Sequence, residues 1–129
     1  REMMRSKMLN IVRIYSDNNG ESHFEAINIP LNDAGSIGRL SGSIPAKDII
    51  FREVEPTYDY DFHNAPQRQY IILLDGEIEI ETSLGAKRTF KAGEILLVED
   101  TKGKGHKTRN LQPITRKSVF ITLPDEGKQ

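Results

Sequence analysis

The 129 residues suffice for one domain with its own apolar core, and 18 basic against 19 acidic side chains, a net charge of -1, leave no electrostatic footprint for nucleic acid or an anionic membrane. Cysteine is absent, which excludes a disulfide framework and a thiolate nucleophile. The longest apolar run, 71–74, is far too short to span a bilayer and no leader pattern is seen, so the chain reads as cytoplasmic.

Residues 1–8 are basic with no apolar run behind them and read as an N-terminal extension or cloning remnant, with Met8 as natural start and 9–129 as the folded domain. The next segments, 9–15 and 23–31, read as strands around the turn "SDNNGES". In the first of them Leu9, Ile11 and Ile14 have little to shield them, so this strand is expected at a sheet edge, pairing two copies as a homodimer. A Gly/Ser-rich loop runs to about Pro45, and its 35–42 stretch reads as a lid over the site or an arm onto a partner. Further strands are expected at 48–55, 58–63, 69–75, 77–82, 87–92, 94–100, 105–110 and 117–123, with Gly turns between them. No long helical periodicity occurs anywhere. About ten short strands at regular spacing predict an all-β antiparallel sandwich or small barrel in a single domain.

Strand alternation assigns the faces. Ile78 and Ile80 point to the core, so Glu77, Glu79 and Glu81 form a solvated face rather than a set of catalytic carboxylates. Asp61 and His63 share one side of their strand, with Tyr58, Tyr60 and Phe62 on the other, covering the outer surface or a partner. Gln69 lies on the face of Ile71 and Leu73, and His106, Thr108 and Asn110 share a face. His23 follows a turn and reads as structural or surface-exposed, and "GKGH" lacks both the pattern and the helix of a phosphate loop.

The spacing of this punctuation resembles the cupins, over about residues 50–123. Gln69 and six residues before Gly76 resemble the end of the first cupin motif, where the family has Glu. Asp61-Phe62-His63 resembles its His-x-His, and Gly93, His106 and Asn110 resemble the second motif, with Glu99 in place of the customary Pro. The resemblance implies an antiparallel jelly-roll barrel with a divalent transition metal (Fe, Mn, Ni, Cu or Zn) at His63, His106 and Asp61, assisted by Gln69. Arg52, Thr108 and Asn110 are candidates for substrate contact, Arg52 as a bidentate carboxylate clamp if it faces inward. The implied activity is oxygenase or isomerase/lyase chemistry on a small polar organic acid or metabolite. The alternative is a non-enzymatic small-ligand or sensor cupin with a degenerate metal site. An epimerase-type cupin would need a His–Asp general-base pair, which Asp61 and His63, two apart on one strand face, do not make.

Overall fold

The computed structural model describes residues 7–125. Among them run eleven strands: β1 (Lys7–Ser16), β2 (Ser22–Asp33), β3 (Arg39–Leu40), β4 (Asp48–Val54), β5 (Asp59–His63), β6 (Gln69–Leu73), β7 (Glu77–Glu81), β8 (Lys87–Lys91), β9 (Ile95–Val98), β10 (His106–Asn110) and β11 (Arg116–Thr122). Each segment that alternation and turn residues marked as a strand is one. Strand β1 starts at Lys7, so Lys7 and Met8 belong to the sheet, paired with Leu31 and Pro30. The rest of the proposed extension lies outside the described residues. Inside the Gly/Ser-rich loop, one turn of 3₁₀ helix at Gly35–Ile37 precedes β3, which pairs with the end of β2.

The strands form two sheets, ordered β3-β2-β1-β9-β6-β11-β4 and β5-β10-β7-β8. Antiparallel pairing is nested: β7 with β8, β6 with β9, β5 with β10 and β4 with β11. A long hairpin rolled up on itself gives that order, which is a jelly roll. Of the two all-β forms expected it is the sandwich, a jelly roll that does not close into a barrel: among the described residues no ladder joins one sheet to the other.

The β1–β2 hairpin enlarges the first sheet, and β1 runs parallel to β9 over Val12–Ile14. Strand β1 is therefore interior rather than an edge, and Ile11 and Ile14 are buried, which corrects the sequence expectation. The edges of this sheet are β3 and β4. A charged staple crosses the added hairpin. Glu99 accepts from Arg13 of β1 (2.5 Å) and from Arg68 (2.7 Å), and Arg13 also reaches Glu25 of β2 (2.7 Å). The residue standing where the cupin pattern has Pro is thus the hub of the staple.

Side chains of period two fill the space between the sheets. Ile14, Leu73, Ile78, Ile80, Phe90, Leu96 and Val98 are buried together, with Phe24 packed on Phe90 at 6.2 Å between ring centroids. Glu79, on the opposite face of β7, pairs with Arg109 at 2.9 Å, as alternation requires. The core closes one part of the sandwich, and a cavity of about 330 Å³ occupies another.

Candidate functional site

The cavity floor is apolar, formed by Ile71, Leu73, Ile78, Ile80, Leu96 and Phe120, and its polar wall carries both informative histidines. His63 ends β5 and His106 opens β10, directly opposite each other in the ladder, with ring centroids 4.6 Å apart. Gly105 makes this approach possible. Its φ is +74°, and a Cβ there would fall 2.1 Å from the backbone oxygen of His63. Only glycine satisfies both demands.

Each imidazole has its Nδ1 committed. His63 Nδ1 donates to the Asp61 carbonyl at 2.8 Å, and His106 Nδ1 donates to the Asp100 carboxylate at 2.6 Å. That leaves Nε2 of each ring for the cavity. Asp100 is fully buried, and its Oδ1 has no hydrogen-bond partner among the described residues. A His–Asp pair therefore exists, but between His106 and Asp100 rather than on β5. It is an arrangement that fixes the ring's orientation and leaves Nε2 toward the cavity. Burial holds the His63 imidazolium back, pushing its pKa below the ordinary histidine value, with the neighbouring His106 and Arg52 acting the same way.

A β-bulge corrects the facing predicted for β5. His63 pairs with His106 and Tyr60 pairs with Thr108, so Asp61 and Phe62 together oppose Lys107. The extra residue puts Tyr58 and Tyr60 on the same side as His63. Tyr60 stacks on His63 at 4.1 Å, and Tyr58 follows at 6.1 Å from Tyr60. Asp61 is exposed, with its carboxylate accepting from the Phe62 N–H at 2.8 Å, and it is not part of the cavity wall. The two-histidine, one-carboxylate set is thus not assembled as predicted. Among the described residues no three His, Asp or Glu side chains converge in a way that would hold a metal. What faces the cavity is two imidazoles with Gln69, which is buried.

Of the proposed substrate contacts, Arg52 and Thr108 line the cavity, whereas Asn110 does not. Asn110 instead holds a residue that sequence reasoning missed. Its Oδ1 accepts from Arg116 Nε at 2.7 Å, while its amide donates to the Glu55 carbonyl at 3.1 Å. Arg116 is only 3% exposed, and its guanidinium lies 5.5 Å from the Tyr58 ring. Arg52 sits over the same ring at 4.9 Å and over Phe120 at 5.1 Å. Among the described residues neither guanidinium has a carboxylate in ion-pair contact. Burial, and then the cation of Arg52, lower the Arg116 pKa from its ordinary value. The signal for Arg116 was present: alternation in β11 places it on the face of Ser118 and Phe120. Asp100 had one as well, since alternation through the strand expected at 94–100 places it on the inward face of Leu96 and Val98.

No family model and no curated protein matches the chain. Among solved structures it is similar to protein NMB1881 from Neisseria meningitidis, with 13% identity, TM-score 0.43, and 96% of this chain and 88% of that one covered. It is also similar to a putative ethanolamine utilization protein Q from Salmonella typhimurium, with 12% identity, TM-score 0.48, and 93% and 99% covered.

Proposed function

We propose that this chain is a cupin-type small-ligand protein whose cavity binds an organic anion with an apolar body. The single observation that carries the reading is Arg116, a buried cation with a second arginine beside it and no carboxylate partner among the described residues. Burying an unpaired charge costs several kcal/mol, roughly, and a ligand carboxylate or phosphate offsets that cost. The Arg116 guanidinium lines the cavity and offers such a group a bidentate contact, with Arg52 adding positive charge nearby. The apolar floor takes the rest of the ligand, and about 330 Å³ suits a small metabolite.

The imidazole pair gives this binding a chemical direction. Nε2 of His106, oriented by Asp100, accepts a proton from a carbon or hydroxyl of the bound anion, and Tyr60 and neutral His63 stand beside it. Proton abstraction of that kind belongs to isomerase/lyase chemistry. Isothermal calorimetry with hexanoate and with inorganic phosphate, at low salt, tests the binding. Wild type and Asp61→Ala bind one anion per chain alike, and Arg116→Met loses at least ten-fold in affinity. Equal affinity in Arg116→Met, or no heat in wild type, overturns the reading.

A second reading is favoured by the two committed Nδ1 atoms, the pattern in which a histidine is oriented toward a metal. A divalent transition metal would be held by Nε2 of His63 and of His106 with the Gln69 amide oxygen, and it would supply Lewis-acid or oxygenase chemistry. Zn(II) titrated into metal-free protein then binds at one site per chain, and His63→Ala/His106→Ala abolishes it. Retention of that site in the double variant rejects this set of donors.

A further inference from the structure

Strand β4 is the end strand of the seven-stranded sheet, and it is strongly apolar where it faces solvent. Phe51 is 76% exposed, Ile49 58% and Ile50 44%, with Leu74 open beside Phe51 in a shallow groove. Such an edge presents a row of free backbone donors and acceptors to any compatible strand.

We infer that β4 pairs antiparallel with β4 of a second copy of this chain, on a two-fold axis through Ile50. Charge sets both the partner and the register. With Ile50 opposite itself, Ile49 meets Phe51, Asp48 meets Arg52, and Lys47 meets Glu53, each twice by symmetry. A shift of one residue places Asp48 opposite Glu53, or Lys47 opposite Arg52, and like charges in direct opposition are unfavourable. A shift of two puts Glu53 opposite Ile49, or Ile50 opposite Asp48. One register therefore matches every charge and every apolar side chain. It also places Asp48 of the second copy on the face of the sheet that carries Arg52, so the interface ends at the rim of the cavity.

The chain has no cysteine, which makes a single introduced thiol a clean reporter. Sedimentation of wild type at micromolar concentration gives a mass near twice 14.6 kDa. Lys47→Glu, which opposes two acids across the axis, weakens the dimer about ten-fold, and Lys47→Glu/Glu53→Lys restores it. Ile50→Cys forms a disulfide-linked dimer under mild oxidation, while Leu84→Cys, more exposed but in the β7–β8 turn of the other sheet, stays monomeric on denaturing gels. A monomeric wild type, a dimer insensitive to Lys47→Glu, or equal cross-linking from position 84 overturns the inference. Circular dichroism of each variant confirms that the sandwich is intact.

Discussion

At the scale of single residues, the cavity wall works by leaving groups uncommitted. His63 illustrates the consequence for pH. The ring is faced by His106, Tyr60 and Arg52, with Asp100 behind His106, and burial is the largest influence on it. Its pKa in the folded chain therefore lies below the unfolded value of about 6.5. The unfolded chain takes up the proton first, so stability is fully present above about pH 6.5 and falls as pH drops toward the folded value. Urea melts between pH 7.5 and 5 show this decline, and His63→Gln flattens it. A wild-type slope unchanged by the substitution would place its origin elsewhere. The sequence made both histidines visible because they sit at strand ends, His63 just before the Asn-Ala-Pro break and His106 directly after a glycine turn. It hid Tyr58 and Tyr60, since strict alternation fails wherever a bulge adds a residue, and no local signal at Asp61-Phe62 announces one.

Strands rather than side chains decide where the two imidazoles meet. β5 and β10 converge because Gly105 lets backbone touch backbone just before His106. Gly105→Ala adds a methyl group against the His63 carbonyl and puts a non-glycine residue at positive φ. It is expected to cost about 2 kcal/mol or more. The loss appears as a lowered midpoint in denaturant, together with weaker anion binding as β5 shifts. An unchanged midpoint would show that the two strands can separate at no cost. The strands themselves were legible almost to their ends, because short alternating runs between glycine turns admit few other readings. The two-residue β3 was not, since its pairing depends on the tail of β2 and on no pattern of its own.

For the whole molecule, the nested pairing of β4 to β11 explains why one end of the sandwich is core and the other is a site. Leu73, Ile78, Ile80, Leu96 and Val98 serve as both core and cavity floor, so the site rests on the best-packed part of the molecule. The all-β class was readable from strand count and spacing. The place of β1 was not, because a parallel partner 84 residues away (Val12 to Leu96) leaves no local trace.

That distant pairing also governs the order of events in time. As the chain emerges in synthesis, the β1–β2 hairpin precedes its third neighbour, and Ile11 and Ile14 have no β9 to cover them until residue 98 has appeared. A pairing this remote in sequence forms late and slowly, and folding in milliseconds to seconds is typical of such topologies. In stopped-flow refolding, Ile14→Val should therefore speed unfolding while leaving the folding rate nearly unchanged. A matching drop in folding rate would mean that the hairpin docks early, before the roll is closed.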